Sequence, residues 1–253
     1  MGLFDKKFCD ICGEKIGLLG NRKLEDGNLC KDCAGKLSPW FSDRKKSTVA
    51  DIREQLAYRE ENREKVAAFH ITKTLGKSTR VLIDEDAGRF MVTSASNLKD
   101  ANPDVMELSD VTGCSVDVDE SRNELKRETP DGKEVSFVPA RYEYSYDFYV
   151  TISVNNPYFN QIRFRLNSSS IDIETGAMRP GTVFSPMCSM EYQECQKLGG
   201  EIKRTLTQIQ NKIRREAAAA AAPRKAVTCP YCGATTTPDA SGCCEYCGGA
   251  VKG

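Results

Sequence analysis

The sequence predicts an α+β chain of several modules, with a small cysteine-anchored module at each end and an antiparallel β domain with a capping helix between them. Three observations predict it. Four C-x-x-C pairs stand in two groups near the two extremities. At about residue 79 the apolar period changes from that of a helix to that of a half-buried strand. Beyond the strands, Cys195, Leu198, Ile202, Leu206, Ile209 and Ile213 recur at spacings of three and four, the stripe of an amphipathic helix.

The chain has 253 residues, enough for a real core and more than one module. Lys plus Arg and Asp plus Glu both number 36, so neither a generally basic coat for nucleic acid nor a polyacidic tail describes it. The start, MGLFDKKFCD, is interrupted by Asp5, Lys6 and Lys7 and does not read as a secretory signal, and Lys6 stands where a myristoylation motif needs Ser or Thr. No apolar run is long enough to span a bilayer. The expected compartment is therefore the cytoplasm. Thiols stay reduced there, so cysteine pairs read as metal ligands rather than disulfides.

The N-terminal module, residues 1–46, carries Cys9/Cys12 and Cys30/Cys33, separated by seventeen residues. Two C-x-x-C turns brought together give four thiolates around one ion, a tetrahedral zinc site; four thiolates alone do not distinguish zinc from iron. Gly13 follows Cys12, and glycine there allows the positive φ that turns backbone N–H groups toward sulfur. The second pair runs into CKDCAGKL, the first turn of a helix, with turns expected at Gly20-Asn21 and Asp26-Gly27. Knuckle, hairpin, then ligands at a helix start is treble-clef order. The C-terminal module, residues 223–253, carries Cys229/Cys232 and Cys244/Cys247 in two matching knuckles, CPYCG and CEYCG, and reads as a zinc ribbon. Cys243 adjoins Cys244; Cys244 is the expected ligand because it completes C-x-x-C. Each set fills four positions with sulfur, whereas catalytic zinc keeps a water and uses His or carboxylate. The two zinc ions are thus expected to be structural, and the single His70 lies far in sequence from both sets.

The stretch CDICGEKIGLLGNRKLEDGNLCKDCAGKLSPWFSD, roughly residues 8–50, resembles an uncharacterised bacterial family of zinc-binding domains of unknown function. The resemblance implies zinc at Cys9, Cys12, Cys30 and Cys33 and nothing about activity. The C-terminal set is similar to generic zinc-ribbon tails. The seventeen-residue gap also resembles that of GATA-type DNA-binding fingers. Residues 1–46 hold ten Lys/Arg and seven Asp/Glu, and zinc with four thiolates removes most of that surplus, so nucleic-acid binding is the alternative reading rather than the favoured one.

Residues 47–76 read as a linking helix. Thr48 and Asp51 form a capping box, and Val49, Ile52, Leu56, Val66 and Phe69 give an interrupted stripe. The charged middle suits a solvated surface helix; a partner-binding or dimerising helix is the other reading. In residues 77–185, strands are expected at 79–84, 89–94, 108–118, 123–128, 133–138, 142–154, 162–166 and 170–174, with turns at Asp86-Ala87-Gly88, Asp131-Gly132 and Asn155-Asn156-Pro157. The ladder Tyr142, Tyr144, Tyr146, Phe148, Val150, Ile152, Val154 is expected to be core, as are Cys114, Cys188 and Cys195. A meander of such strands suggests a barrel or sandwich. With the helix of residues 186–222 after it, and the segment MELSDVTGCSVDVDE, this order resembles a pleckstrin-homology-like (PH-like) or GRAM-like domain, whose helix caps one end of the barrel. Such domains can bind phosphoinositides through a basic first loop. Here Asp84-Glu85-Asp86 is acidic, and residues 80–180 hold eleven Lys/Arg against eighteen Asp/Glu, so no membrane partner is expected. Ala217–Ala222 and Pro223 read as a helical spacer with its stop.

No Gly-rich phosphate loop, nucleophile elbow or metal-activating His pair is present, and Asp117 and Asp119 have no partner that would make them an acid/base pair. The chain is expected not to be an enzyme. The favoured expectation is an intracellular zinc-binding protein that acts as a protein–protein interaction or scaffold module with an unknown protein partner.

Overall fold

The computed structural model describes residues 7–175, 184–221, 226–239 and 241–251. The chain divides into two compact units, Met1–Gln210 and Asn211–Gly253.

The first unit opens with two small hairpins. β1 (Lys7–Phe8) pairs antiparallel with β2 (Lys15–Ile16), and β3 (Arg22–Lys23) with β4 (Asn28–Leu29). The short helix α1 (Lys31–Gly35) follows at once. The order knuckle, hairpin, helix is the one the sequence predicts. Helix α2 (Val49–Ala67) starts on the expected capping box: Thr48 Oγ1 accepts from Asp51 N at 3.2 Å, and Asp51 Oδ2 accepts from Thr48 N at 2.8 Å.

The strands form two four-stranded antiparallel sheets. The first runs β5 (Lys73–Leu75), β6 (Arg80–Asp84), β7 (Arg89–Thr93), β8 (Met106–Glu107), with a helical turn α3 (Leu98–Ala101) before β8. In the second, β10 (Glu134–Val154) is central. β9 (Val111–Glu128) lies along one side, and β11 (Gln161–Arg165) and β12 (Ile171–Glu174) share the other. Three expectations are corrected. Four expected strands merge into two, because β9 and β10 pair as one long hairpin around Asp131-Gly132, with Gly132 at φ 77°. The short strands β5 and β8 were not expected. Among the described residues the sheets do not close into a barrel: a tight turn at Leu108–Asp110 carries the chain away from β8, and β9 starts a new sheet.

The ladder on β10 is core from Tyr146 onward, with Tyr146, Phe148, Val150, Ile152 and Val154 all buried. Helix α4 (Met190–Ala221) packs on it through Tyr192, whose ring meets Tyr146 and Phe148 edge-on at 5.1 and 4.9 Å. Ile202 and Leu206 are fully buried about three and four turns further on. α4 also reaches the first sheet, where Lys77 Nζ meets Glu194 Oε2 at 2.7 Å. The helix expected after the strands is therefore present, packed on the sheet rather than over the end of a closed barrel among the described residues. Cys188, expected to be buried, is exposed in the turn before α4, where no sheet covers it; Cys114 and Cys195 are half-buried. Pro223, expected to end the helix, lies outside the described residues.

Helix α2 departs from the solvated spacer its charges suggest. Its first half belongs to the metal module: Ile52 is buried with Leu24, Leu29 and Leu37, and Val49 and Leu56 pack beside it. Its last turn belongs to the first sheet, with Val66 against Leu82, Met91 and Val105. Between them the buried face is polar: Gln55, Arg59 and Asn62. Arg59 Nη1 donates to Asp104 Oδ1 at 2.9 Å, and Ser38 Oγ donates to Asp104 Oδ2 at 2.8 Å. Asn62 Nδ2 donates to Pro103 O and Asn102 Oδ1, both at 2.8 Å, and Asn62 Oδ1 accepts from Val105 N at 2.9 Å. Asn102 takes a left-handed conformation, φ 46°, and returns its amide to Arg59 O at 2.8 Å. Burial pushes the Asp104 carboxyl above its ordinary range, and Arg59 and the Ser38 hydroxyl oppose that push.

Removing one side of this pair leaves a buried charge without a partner. Arg59→Ala should lower the unfolding free energy by about 3–5 kcal/mol in urea titration, and Arg59→Met with Asp104→Leu should lose clearly less. A Cβ on Gly199 of α4 would lie 2.8 Å from Val116 Cγ1, whereas one on Gly200 meets nothing within 4 Å. Gly199→Ala should therefore cost about 1–3 kcal/mol by overpacking, and its neighbour Gly200→Ala should stabilise by about 0.5–1 kcal/mol through helix propensity; thermal melts of the two variants should move in opposite directions.

Candidate metal centres

Each predicted set of cysteines is brought together. Cys9, Cys12, Cys30 and Cys33 place their sulfurs within 4.8 Å of one another, and so do Cys229, Cys232, Cys244 and Cys247. Cys243 stands outside the second set, with its thiol toward Ser241 O at 3.9 Å. Among the described residues no His, Asp or Glu joins either set. His70 lies in the segment between α2 and β5, beside Asp86 at 3.7 Å.

Three of the four C-x-x-C turns repeat one geometry. Gly13 N donates to Cys9 O at 2.8 Å and Cys9 N to Glu14 O at 2.9 Å; Gly233 N donates to Cys229 O at 2.9 Å and Cys229 N to Ala234 O at 2.8 Å; Gly248 N donates to Cys244 O at 2.8 Å and Cys244 N to Gly249 O at 2.9 Å. The three glycines sit at φ 76°, 73° and 69°, where any other residue would be strained. The fourth turn uses a helix instead. Cys30 is the N-cap of α1, its Sγ accepting from Cys33 N at 3.3 Å, so a free N–H of the first turn is satisfied by sulfur. Cys30 N in turn donates to Cys9 Sγ at 3.3 Å and ties the two turns together.

The spacing fits a tetrahedral ion. Four sulfurs at a zinc–sulfur distance of about 2.3 Å stand about 3.8 Å apart. Cys12 and Cys30 sulfurs are 3.7 Å apart, Cys229 and Cys247 3.6 Å, and Cys232 and Cys244 3.8 Å. A disulfide would need about 2.05 Å. The protonation chemistry points the same way. Burial opposes ionisation of Cys9, yet the N–H groups of Cys12, Cys30 and Ile11 hold its pKa at about 6. Cys244 likewise falls to about 6, because N–H groups from Cys247 and Tyr246 outweigh its burial. Within the same sets, burial pushes Cys33 up, and Cys247, although it accepts from Gly249 N–H, is driven to about 12 by the Cys229 and Cys232 sulfurs. Sulfurs packed this closely cannot all ionise against one another; a divalent cation at the centre removes the conflict.

The apolar support differs between the modules. The N-terminal set is embedded with Ile16, Leu24, Leu29, Leu37 and Ile52. In the C-terminal unit, β13 (Val227–Thr228) and β14 (Thr235–Thr236) form the hairpin, and Cys229, Cys244 and Val251 make up the buried cluster with Val227 against it. Outside the sulfur sets, a shallow cleft on the N-terminal module is lined by Arg22, Lys23, Arg44 and Lys45 with Glu25. The run Arg44-Lys45-Lys46 is visible in the sequence as a short basic cluster that reads more readily as a solvated linker than as a groove contact; its meeting with Arg22 and Lys23 of β3, about twenty residues earlier, is what the sequence does not announce.

Zinc content measured on the full chain should be two equivalents, and Cys12→Ser or Cys232→Ser should each remove one. Gly13→Ala should weaken the N-terminal site by about tenfold in chelator competition, the equivalent of about 1–2 kcal/mol of left-handed strain, while Gly35→Ala, whose Cβ meets nothing within 4 Å, should leave it unchanged.

No curated protein and no solved structure matches the chain. A family model described as "Domain of unknown function (DUF4428)" matches residues 7–55, which take in the whole N-terminal sulfur set and the first turns of α2.

Proposed function

We propose that this is a zinc-binding protein of a reducing compartment whose two ions hold shape, and that it works as a protein–protein interaction or scaffold module without enzymatic activity of its own. One observation carries this reading: each metal centre is a closed set of four sulfurs, with no oxygen or nitrogen donor among the described residues to replace one. A site with no exchangeable position offers neither an activated water nor a Lewis-acid face to a substrate. What such an ion supplies is folding free energy for short segments, on the order of 10 kcal/mol or more. The surface left for function is that of the β sheets. Strands in two antiparallel sheets followed by a packed helix support a PH-like reading of the central region, and its acidic surface favours protein partners over phosphate groups. Among the described residues no helix is long and apolar enough to cross a membrane.

A second reading, nucleic-acid binding through the N-terminal module, is favoured by the basic cleft of Arg22, Lys23, Arg44 and Lys45. One experiment separates the two. The tagged full chain is recovered from its native host with and without nuclease. The interaction reading expects the same protein partner in both preparations, and loss of that partner after chelation of zinc. Recovery abolished by nuclease, together with a complex whose affinity for DNA or RNA falls steeply with salt, would establish the second reading instead.

A further inference from the structure

Strand β9 is the outer edge of the second sheet. Among the described residues its ladder partner is β10 alone, over eighteen residues, and only Gln210 Nε2 reaches its start, at Val111 O. One row of its backbone N–H and C=O groups is therefore open to pairing. Its distal part is also the least supported region of the sheet. Among the described residues β12 pairs with β10 only from Glu143 to Tyr146, so beyond Asn123 β9 and β10 form a two-stranded ribbon. Ribbons of two strands are marginal in water without a third element. All residues from Asp117 to Glu124 are exposed, on both faces.

The side chains along this edge carry an antisymmetric charge pattern about Asn123. Arg122 is followed on the other side by Glu124; Glu120 is matched by Lys126; Asp119 is matched by Arg127. When two copies of β9 meet antiparallel with Asn123 opposite itself, Arg122 faces Glu124, Glu120 faces Lys126, and Asp119 faces Arg127. The two-fold axis repeats each pair. Opposed residues in this register lie on the same face of the sheet, at about 4.5–5.5 Å between Cβ atoms, so three pairs of opposite charge meet on each side of the axis, Ser121 faces Leu125, and between Asp119 and Arg127 no like charges are opposed. We infer that the outer edge of β9 binds a second copy of this chain, joining the two sheets across an antiparallel β9–β9 seam centred on Asn123. Edge charges ordinarily guard against strand addition because an arbitrary partner leaves them opposed to like charges or to nothing. Here the pattern excludes arbitrary partners and accepts its own copy. The irregularity of the hairpin lies on β10: residues between Ser136 and Arg141 loop out while β9 runs through, leaving the pairing edge continuous. The existing contacts of these side chains are at the surface. Asp119 meets Arg163 at 3.4 Å and Lys126 meets Glu134 at 3.7 Å, with Asp119 and Lys126 still 64% and 51% exposed, and Arg122 stacks on Tyr142.

Two variants with reciprocal charge changes test the seam on the full, zinc-loaded chain by sedimentation equilibrium. Lys126→Glu with Arg127→Glu opposes acid to acid at the seam, and Asp119→Lys with Glu120→Lys opposes base to base. Each alone should raise the dimer dissociation constant roughly tenfold or more. Mixed in equal amounts they should recover a heterodimer of wild-type strength, because every opposed pair is again of opposite sign. Hydrogen exchange on the wild-type protein supplies a readout free of mutation: amides of β9 should slow as concentration rises. A wild-type chain that stays monomeric up to about 0.1 mM overturns the inference, as does a dimer that both variants leave intact or one that protects amides elsewhere but not on β9.

Discussion

A buried ion pair, Arg59 with Asp104, joins the elements of the first unit. Neither residue would be tolerated there alone. Arg59 rises from a helix that begins in the metal module, Asp104 sits in the loop that feeds the first sheet, and Ser38 reaches the same carboxylate from just beyond the metal-bearing helix. Asn62 and Asn102 complete the arrangement by satisfying backbone groups of the loop that holds Asp104. A polar interface of this kind is more specific than an apolar one. Greasy surfaces can slide, whereas a fork of guanidinium and carboxylate has one geometry. The register of α2 against the sheet, and of the metal module against α2, follows from it.

The metal centres depend on a different physical device, used three times at the level of the backbone. A glycine in the left-handed region lets a C-x-x-C turn close on itself and aim N–H groups at sulfur. The fourth turn reaches the same end with a helix N-terminus. The knuckle N–H groups supply partial positive charge to sulfur and hold Cys9, Cys229 and Cys244 low against their burial, while burial pushes Cys33 up and neighbouring sulfurs push Cys247 up. The donor set and the spacing of the sulfurs suit zinc.

Much of this was legible in the residues. The eight clustered cysteines, the knuckle glycines, the capping box at Thr48, the alternating face of β10 and the stripe of α4 are all local patterns, and local patterns survive translation into structure. What was not legible is long-range. Charges in the middle of α2 suggested solvent, because a lone Arg is far more often exposed than buried; its partner lies forty-five residues away. The spacing of Gln55, Arg59 and Asn62 by four and three was the available signal: polar residues of hydrogen-bonding type on the same stripe as Ile52 and Val66. The two long strands, expected as four, run on through the polar residues between 118 and 123 and through Pro139-Ala140, because on an edge ribbon with both faces wet polarity is no obstacle to a strand. Closure of a barrel is likewise a property of strand partners, which no single segment reveals.

The polar junction at Ser38 also bears on the traffic of ions. Leu37 and Ser38 follow the metal-bearing helix within three residues of its end, one packed in the cluster around the sulfurs and the other bonded to Asp104. An ion held by these four sulfurs would therefore be tied through that corner to the docking of α2 on its interior partners. The C-terminal set rests on a cluster of three buried residues, Cys229, Cys244 and Val251, and among the described residues no comparable interlock is seen. Two chemically identical donor sets therefore stand in different settings: release of an ion from the first would be coupled to the opening of a protein interior, and from the second to the rearrangement of a short hairpin module alone.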